Sequence, residues 1–189
     1  MATAASRSAH SRARLIGVAG LLIILLGAGA ALLPLADQIR GVNVVGSLLL
    51  AAGLVETLAG TQRHNSKIFA TLAGIVTAIA GMILVLNPLT HVFPTFHLVA
   101  AWLVLRSVAL IASSLRCTGS VRVWTWIAAA TDLVLALIVI AGISIATLVV
   151  GLFGPTPEVI ASFAWVLAVS FVVNGALLLE IASCMRVDE

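Results

Sequence analysis

The sequence predicts an all-α polytopic membrane protein, with six transmembrane helices arranged as three helical-hairpin repeats. Three observations carry that prediction. Of 189 residues, 62% are hydrophobic and only 9% charged, where a soluble domain carries roughly a quarter; mean hydropathy is +1.23. Six apolar runs are each long enough to cross a hydrocarbon core about 30 Å thick at about 1.5 Å of rise per residue. The interruptions between them are short and rich in turn and polar residues. A water-soluble globule would need far more polar surface, and intrinsic disorder needs low hydrophobicity with high charge. A β-barrel would alternate apolar and polar residues over strands of about ten, whereas these runs are apolar on all sides.

The elements follow in order. Residues 1–14, MATAASRSAHSRAR, read as a short disordered tail. A signal peptide is the rival reading, because a basic segment precedes an apolar one. The run from Leu15 to Ala36 is 22 residues long, however, against about 7–15 for the apolar part of a signal peptide, so it reads as an uncleaved first span. Five more runs lie at roughly 42–60, 68–88, 97–115, 124–150 and 159–183, giving a transmembrane domain over 15–183 and a second tail at 184–189. The fifth run is overlong, which implies tilt or an interfacial extension. Trp124 and Trp126 open it as an aromatic interface anchor, while Trp102 and Trp165 sit deeper and read as packing.

Basic residues set the orientation. Arg7, Arg12, Arg14, Arg63, Lys67, Arg116, Arg122 and Arg186 fall on one side, Arg40 alone on the other, and Arg106 inside a span. The positive-inside rule then places both termini in the cytoplasm, in agreement with an even number of crossings. The net charge of +3 therefore belongs to topology. Nothing resembles a nucleic-acid-reading module, and no basic run is interleaved with aromatics. Cys117 and Cys184 are too few for a disulfide framework or a structural zinc site.

The chain also repeats itself. Gly20, Gly27 and Pro34 have the spacing G-x6-G-x6-P, and Gly74, Gly81 and Pro88 repeat it 54 residues later; a further step of about 55 reaches Ala129 near the start of the fifth span. Glycines seven apart share one helix face, where a neighbouring helix can approach closely. The prolines stand where a helix leaves the membrane.

On these features the sequence resembles the HdeD-type acid-resistance membrane proteins of bacteria. The resemblance covers roughly residues 15–183. It rests on the six short-looped spans, the two Gly-Gly-Pro patterns, and the Thr131-Asp132-Leu133 step inside the fifth span. It implies a bacterial inner-membrane protein associated with survival at low pH, and it brings no catalytic residues.

Four ionisable residues fall inside apolar runs: Glu56, Arg106, Asp132 and Glu180. Charges in hydrocarbon are costly and are functional candidates by default. Arg106 and Asp132 lie 13 residues on either side of Gly119, the middle of the fourth loop, so an antiparallel hairpin would hold them at similar depth and let them pair. One account is a structural ion pair that fixes helix register; the sharper one is a proton-responsive switch. Glu56 and Glu180 lie within one or two turns of their helix ends, read either as interfacial carboxylates or as candidate titrating groups. Three carboxylates against one guanidinium leave an excess of negative charge that low-dielectric burial resists. His91 and His97, on the face opposite the basic loops, are either candidate pH-sensing residues or ordinary interfacial histidines.

No enzyme signature is present: there is no G-x-x-x-x-G-K-[ST], H-E-x-x-H or G-x-S-x-G. No cofactor or metal is implied. The partner implied is the lipid bilayer, with a second copy of the chain or other membrane proteins as further candidates, and no nucleic acid. A non-enzymatic stress-related protein is the leading expectation. A small transporter or channel for protons or a small solute is its alternative, because repeats and intramembrane charges are transporter features. Against that, the prolines lie at span ends and the repeat is parallel, not inverted.

Overall fold

The computed structural model describes residues 2–32, 41–63, 66–86, 95–142 and 158–187. Long runs without an interior proline, in a solvent that cannot satisfy backbone amides, leave the helix as the only open structure. The runs accordingly form α1 (Ala2–Leu32), α2 (Gly41–Thr61), α3 (Lys67–Leu86), α4 (Thr95–Ser114), α5 (Gly119–Ile140) and α6 (Glu158–Val187). All six are long and apolar enough to cross a membrane, and no strand occurs among the described residues. Helix α1 starts at Ala2, so residues 2–14, expected as a disordered tail, continue the first helix. At the other terminus α6 takes in most of the expected tail and ends at Val187. Helix α5 stops earlier than its overlong apolar run. Ala141 caps it, and Gly142, at φ 64°, donates its N–H to the Val139 carbonyl at 3.1 Å, a left-handed stop that glycine adopts without steric cost. Arg40, Pro34, Pro88 and His91 lie outside the described residues.

Side chains are sorted by size in the sense that suits lipid. On α3 the buried face is Ala70, Ala73, Gly74, Thr77, Ala80, Gly81 and Leu84, while Ile68, Leu72, Ile75, Ile79 and Met82 point outward. Lipid tails are as apolar as leucine, so nothing is gained by hiding bulky side chains. Close van der Waals approach drives association instead, and small residues allow it.

The closest pairs are α2 with α3, α1 with α6, and α4 with α5. Helices α1 and α2, α3 and α4, and α5 and α6, the expected hairpin units, touch more loosely. Contact therefore passes through all six helices in chain order and closes between α6 and α1. In the first close pair, a methyl added at Gly53 or Gly81 would strike the backbone of Ala78 or Leu50 respectively. Moving from Gly53 to Gly60 on α2 moves its neighbour on α3 back from Ala78 to Thr71, which fixes an antiparallel register. The α1–α6 pair behaves alike: Gly20 faces Gly175, and Gly27 faces Ala168 and Phe171. Small residues recur every seven positions on α4 as well, at Ala100, Ser107 and Ser114, all buried.

Candidate functional site: a buried charge centre

Arg106 sits on α4 with 1% of its surface exposed, the largest of the fully buried side chains. Its guanidinium meets two carboxylates. Nη1 donates to Asp132 Oδ2 on α5 at 2.7 Å, and Nη2 donates to Glu56 Oε1 on α2 at 3.1 Å. Nη1 carries a second hydrogen, which goes to Ser170 Oγ on α6 at 2.6 Å. Ser170 in turn donates its hydroxyl proton to Asp132 Oδ1 at 2.7 Å. Asp132 thus receives one charged and one neutral hydrogen bond. The guanidinium carbon also stands 5.9 Å from the centre of the Trp102 ring one turn away, inside the range of a cation–π contact.

Helix α3 adds a fifth wall. Thr77 Oγ1 accepts from Trp102 Nε1 at 3.1 Å and lies 2.9 Å from the Ala73 carbonyl and 3.5 Å from Glu56 Oε2. One hydroxyl proton serves one acceptor well, and the shorter contact is to the carbonyl. Glu56 Oε2 is left as the least satisfied oxygen of the two carboxylates. Most spanning hydroxyls return to their own helix, as Thr125 does to Val121 and Thr57 to Gly53, the usual fate of Ser and Thr in a helix. Ser170 instead bonds across helices.

The fold explains why these residues meet. Gly119, at φ 61°, opens α5 directly after the short α4–α5 connection, and the two antiparallel helices bring Arg106 and Asp132 level. Helices α2 and α4 run toward the same end of the bundle. Glu56, five residues before the last residue of α2, is within reach of the long arginine side chain. The charge balance at the centre is one guanidinium against two carboxylates.

The other candidates lie elsewhere. Glu180 is half-buried on α6, where its Oε1 is 3.8 Å from Cys184 Sγ, and among the described residues the ion pairs of Arg106 are with Glu56 and Asp132 instead. Cys184 also lies 3.4 Å from Ser120 Oγ. His97 is exposed, with its ring edge-on to Phe96 at 4.5 Å between centroids; His91 lies outside the described residues. Gly20, Gly27, Gly74 and Gly81 all sit in tight interhelical contacts. Among the described residues, no cluster of three or more His, Cys, Asp or Glu is placed to hold a metal ion.

Sequence reasoning did not single out Ser170 or Thr77, and it took Trp102 for packing alone. Hydroxyls are too common in spans to stand out, though Trp102 and Arg106 at a spacing of four place a ring and a cation on one face. It counted Arg63 toward topology alone, whereas Arg63 is buried just beyond α2, with Nε and Nη1 lacking hydrogen-bond partners. Burial pulls the Arg63 guanidinium below its usual pKa, while Glu56 and Cys117 act in the opposite sense. Compared with protein-family models, curated proteins and solved structures, the chain gives no significant match.

Proposed function

We propose that this chain is a non-enzymatic protein of the bacterial inner membrane, with both termini cytoplasmic and a role in acid or general stress. Protonation of a buried carboxylate would bias how its helices pack. The observation that carries this reading is the excess of one carboxylate over guanidinium where residues of five helices converge. With both acids ionised the centre holds net −1, and one proton makes it neutral. In a low-dielectric site that difference is large enough to alter contacts. Because α2, α3, α4, α5 and α6 each contribute a group, a change there reaches nearly the whole bundle. The resemblance to acid-resistance proteins and the one-sided placement of basic residues support the reading. In sequence the repeat comprises three hairpin units, a parallel arrangement that fits a scaffold better than an alternating-access machine.

The test is survival after an acid shock in cells whose native copy is deleted. Wild type should restore survival. Glu56→Gln, which keeps the acceptor to Arg106 but cannot titrate, should reach the membrane in normal amount and fail to protect. Full protection by Glu56→Gln would sink the proposal. A second reading, a small conduit for protons or a small solute, is favoured by the mid-span position of the charges, where transporters place their sites. Proton flux into liposomes well above that of protein-free vesicles would establish it.

A further inference from the structure

Polar groups are distributed unevenly along the bundle. Let the basic end be the one at which α2, α4 and α6 finish. Among the described residues, the buried side-chain nitrogens and oxygens without a hydrogen-bond partner, Arg106 Nε aside, all lie on the basic-end side of the charge centre. They are Arg63 Nε and Nη1, Thr71 Oγ1, Ser113 Oγ, and both amide atoms of Asn174. Two of these residues stand on the helix faces that build the centre, and a third follows the end of α2. Ser113 follows Arg106 by seven residues on α4 and Asn174 follows Ser170 by four on α6, while Arg63 stands just past the end of α2, its backbone N–H donating to the Gly60 carbonyl at 3.2 Å. Spacings of four and seven keep a side chain on one face, one or two turns further along. Ser113 is 0% exposed and Asn174 2%.

The far half is built differently. Its buried residues include Leu49, Leu84, Leu103, Leu135, Val139 and Leu167, and among the described residues no buried polar side chain lies beyond the charge centre on that side. A buried amide with neither its donor nor its acceptor matched keeps the full cost of losing its water. Buried water is the usual remedy where several polar groups can hold it. Apolar walls give water nothing to bind.

We propose that the basic-end half of the core is a built water site, held by Asn174, Ser113 and Arg63, that delivers protons to Glu56 from the basic end alone. The inference rests on the reading that a buried carboxylate of the charge centre takes up a proton, and adds the side from which the proton comes. A proton passes from bulk water along the chain to Glu56 Oε2, the oxygen with the long contact to Thr77. One O–H bond forms on the carboxylate as another breaks on the donating water. The charged groups facing Glu56 are Arg106 from α4, Asp132 beyond it on α5, and Arg63 past the end of its own helix. From α3 the facing group is the uncharged Thr77, and from α6 the uncharged Ser170 reaches Arg106 and Asp132.

The test uses single cysteines in a chain carrying Cys117→Ser and Cys184→Ser, reconstituted in sealed vesicles of known orientation. Silver ion, small enough to follow water, is applied from one side. Thiols left free are then counted with a maleimide after unfolding. Ser113→Cys and Asn174→Cys should lose their free thiol when silver is applied at the basic end, and Ala100→Cys and Ala136→Cys, buried in the far half, should keep theirs from either side. Free thiols at 113 and 174 after exposure at the basic end would overturn the proposal, as would silver reaching 136 as readily. Infrared spectra of the wild type at acidic pH, in which the Glu56 carboxyl band is identified by its loss in Glu56→Gln, should show that band shift promptly in D2O. An unshifted band overturns the proposal even where a cysteine variant fails to fold. Silver protection as expected, with Glu56→Gln still protecting cells, would leave the water path standing and remove the acid-stress reading. The reverse result would do the opposite.

Discussion

At the scale of single residues, Arg106 is the group whose loss should be felt most. Asp132→Leu leaves a one-to-one pair of Arg106 with Glu56, whereas Arg106→Met leaves two carboxylates facing each other without a counter-ion. Arg106→Met should therefore lower stability by about 3–5 kcal/mol, the range for breaking a buried pair, and Asp132→Leu by less. The double variant should recover much of the difference, because contacting residues are not additive. Thermal unfolding in detergent measures all three, and additive losses would mean that the pair is not coupled. How much of this was legible follows from distances along the chain. Arg106 and Asp132 are symmetric about one short turn, so their pairing can be read from numbering. Glu56 lies 50 residues away from Arg106, and the meeting of the two depends on how α2 packs, which no local pattern records. Ser170 and Thr77 were hidden for the same reason.

At the scale of elements, helix existence was legible because hydropathy over about 20 residues decides it; helix pairing was only partly so. The glycines at 20, 27, 74 and 81 mark faces of close approach without naming the partner. The spacing of Gly46, Gly53 and Gly60 on α2, which interleaves with Gly74 and Gly81 on α3, carried the missing information. At Gly53, Gly60, Gly74 and Gly81 the nearest neighbours are backbone atoms, which cannot move aside. Gly81→Ala and Gly53→Ala should thus be strongly destabilising, and Gly81→Leu more so. Gly27→Ala should be milder, since its nearest neighbours, the Ala168 carbonyl and Phe171 Cβ, stand 3.1 Å from the added methyl. Gly29 has nothing within 4 Å, so Gly29→Ala should raise the melting temperature in detergent through helix propensity, by roughly 0.5–1 kcal/mol. Destabilisation by Gly29→Ala, or wild-type melting for Gly81→Ala, would contradict the packing described.

At the scale of the whole molecule, six crossings and the arginine count together make a topological prediction. A reporter active only in the cytoplasm should give signal when fused after Glu189 and none when fused after Pro94. Signal at Pro94 would overturn the proposed orientation. The composition made six helices of membrane-spanning length and hydropathy legible. The closure of the helices into a ring through α1 and α6 was not, because it joins elements from opposite ends of the chain.

That closure governs how the protein is made. Helix α1 is synthesised before α2–α6, and its glycine face fits α6, which is translated after four other helices. The roughly 125 residues between them take on the order of ten seconds to synthesise at about 5–20 residues per second. Over that interval the α1 face must be covered by lipid or by an assembly factor, and a ribosome that stalls before Gly175 leaves it without its partner. Shortened chains should therefore be recognised and cleared by membrane proteases, and full-length protein should become protease-resistant only after α6 has been inserted.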